Sequence, residues 1–180
     1  MHTLFNQEDM DSMVCQPRDE FTLLIEKTNK RPKWNAFMVE KLSAIMAQRI
    51  VDINCSNGFD FEDIVGICTK ILHSPFTTSA FELCKTFDDE GLDVDLEFHE
   101  LMDCVENEAK ELFDTYIEFW VNFFNIEPEF KEGDEVKWKG KPAIITGIRH
   151  KTAKYTLYAG GIKEKKKDCG YIVKYEDVQI

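Results

Sequence analysis

The chain has 180 residues, with 22 Lys+Arg against 34 Asp+Glu, a formal net charge of −12 and 43% hydrophobic residues, enough for a packed core. This composition excludes a disordered acidic tail. Because no apolar run approaches the roughly 20 residues of a membrane span, and the start MHTLFNQEDMDSM is acidic where a secretory signal is basic and then apolar, the sequence predicts a cytoplasmic protein.

Charge is distributed unevenly on the two sides of Pro128. At this residue the helical periodicity of the apolar residues ends, and short strand-like segments separated by glycines begin. Residues 1–127 contain 10 Lys+Arg and 26 Asp+Glu, whereas residues 128–180 contain 12 and 8. This asymmetry favours two modules with different electrostatic partners. We expect an acidic helical domain at 1–127 and a basic domain at 128–180, joined by a short link.

The acidic half is predicted to be all-α, with four to five helices. A short apolar helix is expected over about 19–28, before Pro32. Apolar residues then recur at spacings of three and four over 34–53, which is typical of an amphipathic helix. This second helix should end near Asn57-Gly58, a pair that commonly follows a helix.

Three further helices are expected before the linker. Asp60 is placed to cap the first of them, which ends before Ser74-Pro75. Thr77 or Thr78 should cap a shorter one. A long helix then runs over about 94–125.

The long helix separates apolar from acidic residues around its axis. At about 100° per residue, eleven apolar residues from Phe98 to Phe124 fall within one arc of about 140°. Residues 94–118 contain one base, Lys110. Five like-charge pairs three or four residues apart should cost about 1–2 kcal/mol at low salt. The opposite arc carries the carboxylates of Glu97, Glu100, Asp103, Glu108, Glu111, Asp114 and Glu118.

Three interpretations of this acidic face remain open. It is a solvated surface, a mimic of nucleic acid, or a divalent-ion site. Nine carboxylates in residues 94–118 give about one charge per 4 Å of helix, close to the 3.4 Å between phosphates on one DNA strand. Such a face could occupy the basic channel of a protein that handles DNA or RNA.

The ion-site interpretation depends on Asp95, His99 and Asp103, which are four residues apart and so face one side of a helix. The segment DDEGLDVDLE, however, lacks the ligand order and the twelfth-position Glu of an EF-hand loop. We therefore predict no metal site and no cofactor.

The basic half contains five segments with the composition of short strands, separated by Gly-containing or polar turns. Five short strands in about 50 residues can satisfy their edges by curling into a small barrel. The strands are expected at 135–139, 143–149, 154–158, 171–175 and 178–180.

Three motifs in this half carry a resemblance to a known superfold: Gly133-Asp134-x-Val136, Gly147-Ile148, and Tyr171-Ile-Val-x-Tyr175-Glu-Asp-Val178. Residues 129–180 resemble the Src-homology-3-like (SH3-like) barrels, which include Tudor and ribosomal KOW modules. The resemblance implies a five-stranded barrel. Its function stays open, because such barrels bind RNA, peptides or methyl-lysine, or are purely structural. A Tudor-like cage would draw on Trp138, Tyr155, Tyr158, Tyr171 and Tyr175.

Lysines of this half form a candidate second contact surface. Together with nearby tyrosines they could contact phosphates and stack on bases. The alternatives are a solubilising loop, or a contact with the acidic helix of the same chain or of a second copy. The lysines are Lys151 and Lys154 before the third strand, and Lys163, Lys165, Lys166 and Lys167 in the following loop.

Signatures of catalysis are absent from the sequence. It contains no P-loop, dinucleotide fingerprint, HExxH or nucleophile elbow. The six cysteines form no CxxC pair, and most lie in apolar helical patterns, which favours reduced, buried thiols. A nucleophile pair assembled by the fold, such as Cys84 with His99, is the one alternative. We therefore predict a binding protein rather than an enzyme.

The favoured function is stoichiometric inhibition of a protein with a basic nucleic-acid groove, in the style of small acidic phage or mobile-element proteins such as anti-CRISPR proteins. One alternative is a regulator that binds nucleic acid through the lysine-rich loop. Another is an assembly factor that acts through protein contacts at the Trp34/Phe37 and Trp120/Phe124 surfaces.

Overall fold

The computed structural model describes residues 30–158 and 170–180. These residues form four helices, followed along the chain by a five-stranded antiparallel sheet, which confirms the α+β class. The predicted helix at 19–28 lies outside the described residues. The elements are α1 (Ala36–Asp52), α2 (Phe61–Ile71), α3 (Ala80–Asp89), α4 (Leu96–Phe124), β1 (Glu135–Trp138), β2 (Lys141–Arg149), β3 (Lys154–Tyr158), β4 (Tyr171–Lys174) and β5 (Val178–Gln179).

The chain divides into two compact units, and α4 contributes to both. One unit is Lys33–Thr115, which we call the helical unit. The other, the sheet unit, contains residues 30–32 and the described part of Tyr116–Ile180. The domain boundary predicted at Pro128 depends on the changes in net charge and in hydrophobic periodicity along the sequence, and it stays a prediction.

Side-chain caps define where the helices of the helical unit begin. The Asn35 side chain accepts a hydrogen bond from the Met38 amide, and Asp60 accepts one from the Asp63 amide, as its position predicted. An Asn or Asp at this position satisfies an amide that has no partner within the helix. After α1, Asn54 adopts a positive φ. This helix therefore ends at Asp52, a few residues before the predicted Asn57-Gly58 stop.

The cap predicted for α3 at Thr77 or Thr78 is wrong, because Ser79 takes that position. The Ser79 hydroxyl accepts from the Glu82 amide, and the Glu82 carboxylate accepts from the Ser79 amide at 3.1 Å. This reciprocal capping box requires Glu three residues after the cap, and only Ser79 has it. The hydroxyls of both threonines instead donate to the Ser74 carbonyl.

The helical unit has one apolar core to which all four helices contribute. At its centre Phe87 of α3 and Phe98 of α4 meet edge to face, with ring centroids 5.3 Å apart. Among the described residues, no helix has the length and apolar character needed to cross a membrane. The fully buried members of the core include Leu42, Met46, Ile50, Ile64, Cys68, Leu72, Phe87, Phe98 and Val105.

The sheet has the strand order β4-β3-β2-β1-β5, with every neighbouring pair antiparallel. The edge strands β4 and β5 are connected by only three residues, Tyr175–Asp177. Four residue steps reach at most about 14 Å, whereas a flat sheet of five strands is about 19 Å wide. The sheet must therefore curl, and the curl encloses a core of Phe130, Val136, Ala143, Ile145, Tyr155, Leu157, Val173 and Val178.

An aromatic contact supports the same curl. Trp138 of β1 and Tyr171 of β4 have ring centroids 4.8 Å apart. In a flat sheet these strands would be separated by three strand spacings, or about 14 Å. All five predicted strands are present, each within two residues of its expected bounds.

Candidate functional site

The predicted acidic face of α4 divides into exposed and engaged carboxylates. Glu97, Glu100, Asp103 and Glu111 are exposed, as an outward face requires. Glu108, Asp114 and Glu118 are only partly exposed. The expectation of seven free carboxylates in one outward row is therefore wrong for three of its members.

Glu108 lies against α1 rather than in solvent. Its Oε1 is 2.9 Å from Nη1 of Arg49, and the two side chains are 11% and 16% exposed. Around the helix axis Glu108 is only about 20° from Leu101, at the margin of the apolar arc, so packing of α4 on the core draws it inward. Burial raises the pKa of Glu108 above its ordinary value, and the nearby Arg49 charge lowers it by a smaller amount.

Glu118 is neutralised by a lysine of the sheet unit. Its Oε1 lies 3.0 Å from Nζ of Lys151, in the turn between β2 and β3. Of the alternatives open for Lys151, this contact is the one with the acidic helix of the same chain, and not one with a partner. Asp114 is half-buried and also makes an interaction within the chain. The last two carboxylates of the predicted face, Asp114 and Glu118, therefore both interact with other residues of the chain.

The buried side of α4 changes after Thr115, which explains why the simple helical projection fails there. Ile117 and Val121 are at most 7% exposed, although both lie outside the predicted apolar arc. Phe123, inside that arc, is 47% exposed. Only the part of α4 up to Thr115 belongs to the helical unit, so one projection cannot describe both parts of the helix.

The exposed carboxylates that remain are concentrated in residues 88–111, which we call the acidic segment. It runs from the end of α3 through the connection into α4 and contains a single base, Lys110. Glu106, which the projection placed at the edge of the apolar arc, is exposed and belongs to this set. The exposed carboxylates for which the described residues provide no ion-pair partner are Asp88, Asp89, Asp93, Asp95, Glu97, Glu100, Asp103, Glu106 and Glu111.

Asp95 sets the start of α4 within this segment. Its Oδ1 accepts a hydrogen bond from the Phe98 amide at 2.9 Å, and the Cys55 thiol donates to the same oxygen at 3.5 Å. The Phe98 amide is the main reason that the pKa of Asp95 lies below its ordinary value. Burial, and then Asp95 itself, raise the pKa of Cys55 to about 11. Asp95 therefore acts as a helix cap.

In the part of the chain that the structure describes, neither the divalent-ion site nor the Cys84–His99 nucleophile pair is supported. Within residues 30–158 and 170–180, no group of three or more His, Cys, Asp or Glu side chains is placed to hold a metal ion. His99 is exposed, whereas Cys84 is buried. Burial raises the pKa of the Cys84 thiol, which is opposite to the lowering that activates a nucleophilic cysteine.

The lysines of the candidate second surface do not form one patch in the described part of the chain. Lys151 pairs with Glu118, and Lys154 is half-buried with interactions of its own. Lys163, Lys165, Lys166 and Lys167 lie outside the described residues, so their role stays a prediction.

The five aromatic residues considered for a cage do not converge. Tyr155 is fully buried, and its ring centroid is 4.3 Å from that of Tyr175 in the sheet core. Trp138 and Tyr171 form a separate pair, with Lys139 over the Trp138 ring. Because two of the rings belong to the core, the aromatic cage is not assembled in this structure.

The tryptophans proposed as assembly surfaces are also occupied within the chain. Trp34 packs against Phe76 and Phe113 in the helical unit, with ring centroids 5.0 and 6.3 Å away. Trp120 is 4% exposed, and the Arg31 guanidinium lies over its ring. Neither indole therefore provides a broad free surface.

Comparisons of the chain with protein-family models, curated proteins and solved structures find no significant match.

Proposed function

We propose that this chain is a non-enzymatic inhibitor whose acidic segment binds in the basic nucleic-acid groove of a nuclease or of another protein that handles DNA or RNA. The observation that carries the proposal is the set of nine exposed carboxylates in residues 88–111 that have no ion-pair partner among the described residues, beside a single lysine, Lys110. In style this resembles anti-CRISPR proteins and other small inhibitors from phage and mobile elements.

The spacing of the carboxylates supports the proposal. Glu97, Glu100, Asp103 and Glu106 follow one another at every third residue, and all four are exposed. Each step advances about 4.5 Å along the helix, compared with 3.4 Å per phosphate along one DNA strand. Each step also turns the side chain by about 60° around the helix axis, so a groove that binds phosphates through lysine and arginine and follows this turn can meet successive carboxylates at a similar interval.

The energetics of the free helix point in the same direction. Glu97 and Asp103 each lie three residues from Glu100, and like charges at this spacing destabilise a helix. A cationic groove would remove this repulsion on binding, and complementary charge speeds association. Glu108 differs from these exposed carboxylates, because it is paired with Arg49 and is largely buried.

We propose that the sheet unit is an SH3-like barrel that serves as a scaffold. The strand order, in which β5 returns to pair with β1, and the three-residue 3₁₀ turn before β5 support this assignment. Within the sheet unit, the Lys151–Glu118 ion pair joins the β2–β3 turn to the part of α4 that belongs to this unit.

The test is displacement of a fluorescent duplex from nucleases with a basic binding channel, RNA-guided nucleases included. Wild-type protein should release the duplex in a one-to-one ratio with at least one of these nucleases. A segment variant should lose about tenfold or more in affinity because four charge contacts are removed. It carries Glu97→Gln, Glu100→Gln, Asp103→Asn and Glu106→Gln.

A matched control has the same change in net charge at exposed positions elsewhere in the chain. It carries Glu40→Gln, Glu62→Gln, Glu132→Gln and Glu135→Gln, and it should inhibit like the wild type. Equal loss in both variants would contradict a role for the acidic segment. Direct binding of the wild type to the duplex itself would instead favour the nucleic-acid-binding alternative.

A further inference from the structure

The sheet unit surrounds the side chain of Arg31 with acceptors. Its Nε donates to Glu176 Oε1 at 2.7 Å, its Nη1 donates to the Thr152 carbonyl at 3.0 Å, and its Nη2 donates to the Ala153 carbonyl. The guanidinium carbon also lies 5.3 Å from the ring centroid of Trp120. The Arg31 side chain is only 7% exposed. Each nitrogen of the guanidinium therefore has its own acceptor.

The backbone that supplies two of these acceptors has an uncommon conformation. Ala153 follows the 3₁₀ turn His150–Thr152 and adopts φ 47° and ψ 53°, the left-handed region. A residue with a side chain pays about 1–2 kcal/mol to adopt it. The Ala153 carbonyl accepts from both the Tyr175 amide and Arg31. Two consecutive carbonyl oxygens are thereby directed to one cation.

This arrangement matches a guanidinium better than an ammonium. Guanidinium is planar, presents separate donors in a fixed fork, and stacks on an aromatic ring. Here the fork meets a carboxylate and two carbonyls, and Trp120 covers the cation. A lysine ammonium has one nitrogen and cannot reach these acceptors with the same geometry. It is also more strongly hydrated, so it is less suited to a site this buried.

We infer that Trp120, the Thr152 and Ala153 carbonyls and Glu176 form a guanidinium-binding site that the chain fills with its own Arg31. The site belongs to the sheet unit and is separate from the acidic segment. Arg31 is more than 100 residues away in sequence from Thr152, Ala153 and Glu176. Its side chain therefore acts as a ligand for a site that the rest of the sheet unit forms. When Arg31 is absent, the site takes the guanidinium of an arginine side chain from elsewhere.

Chemical rescue of Arg31→Ala tests the site, with N-ethylguanidinium as the probe and ethylammonium as its matched cation. The variant should melt below the wild type, and N-ethylguanidinium at millimolar concentration should restore part of the lost melting temperature. Ethylammonium should not restore the melting temperature of Arg31→Ala. Neither cation should stabilise Arg149→Ala, a control variant that removes an exposed arginine. Equal effects of the two cations, or none on Arg31→Ala, would overturn the inference.

A second measurement uses the native chain, in case Arg31→Ala does not fold. Hydrogen exchange of the Arg31 Nε–H, followed by NMR, should be slower than that of Arg149 by about tenfold or more, because buried and bonded donors exchange through opening. Glu176→Gln should reduce this protection, since it removes the charge that accepts from Nε. Equal exchange at the two arginines would contradict the site.

Discussion

The Arg49–Glu108 pair illustrates how a single carboxylate can differ in role from its neighbours along one helix. Burial raises the pKa of Glu108 more than Arg49 lowers it. A carboxyl group with a raised pKa in the folded state binds more protons when folded, so its contribution to stability falls as the pH rises above the ordinary value. The charged form of Glu108 is therefore tolerated only because Arg49 is beside it.

Two substitutions should separate these effects at pH 7. Glu108→Gln should change the free energy of unfolding by less than about 1 kcal/mol, because it removes a charge whose burial is unfavourable. Arg49→Met should cost about 2 kcal/mol, since it leaves the carboxylate without its cation. Its cost should shrink as the pH falls through the raised pKa of Glu108, because the protonated carboxyl group needs no cation. Urea unfolding measures both, and a larger loss for Glu108→Gln than for Arg49→Met would contradict this account.

Asp95 presents the opposite sign of pH dependence. Because its pKa is below the ordinary value of 3.8 in the folded state, its ionised form contributes stability above that value. This contribution is lost as the pH falls through the lowered pKa. Asp95→Asn should keep the cap, because asparagine accepts the same amide hydrogen bond, and it should lose this part of the acid dependence.

Melting temperature measured from neutral to acid pH tests the assignment. Asp95→Ala should melt below both the wild type and Asp95→Asn at neutral pH, since it has no cap for the Phe98 amide. Asp93→Asn, which changes an exposed neighbour, is the control. The assignment is wrong if the alanine variant melts with the wild type.

At the scale of the element, α4 is an amphipathic helix whose exposed side is destabilised by its own charges. Glu100→Lys would convert two repulsive neighbours, Glu97 and Asp103, into attractive ones. We expect a gain of about 0.5–1 kcal/mol in the free energy of unfolding at low salt. Glu40→Lys on α1 has no acidic neighbour three or four residues away and should change stability little.

Denaturant unfolding at low and at high salt measures this gain. It should nearly disappear at about 1 M salt, where the screening length is about 3 Å. A gain that is independent of salt, or equal for the two lysine variants, would show that repulsion within the exposed face is not its cause.

The elements were largely predictable, because short-range patterns determine them. Strands of alternating burial, such as β3, and the Asp60 cap were found from the sequence. The cap of α3 was missed because Thr77, Thr78 and Ser79 are equivalent by residue type, and only Glu82 distinguishes them. The change of buried side within α4 depends on which parts of the chain pack on it, which periodicity does not contain.

At the scale of the whole molecule, the exposed carboxylates lie nearer the start of α4 than the sequence predicts. The asymmetry of charge between the two halves could be read from composition. The contacts that neutralise Glu108 and Glu118 join residues far apart in the chain, to Arg49 and Lys151. Such pairs are tertiary, so no local pattern predicts them. The acidic segment consequently begins earlier in the chain than the predicted face, at Asp88, and ends earlier, at Glu111.

The most direct test of the proposed function is the dependence of nuclease inhibition on salt. For wild type and for the matched control, the inhibitory affinity should fall by about tenfold or more between roughly 50 and 200 mM salt, as expected for contacts that replace phosphate contacts. The variant changed at Glu97, Glu100, Asp103 and Glu106 should bind more weakly with a shallower slope. A wild-type affinity that does not change with salt, or equal slopes for variant and control, would contradict the account.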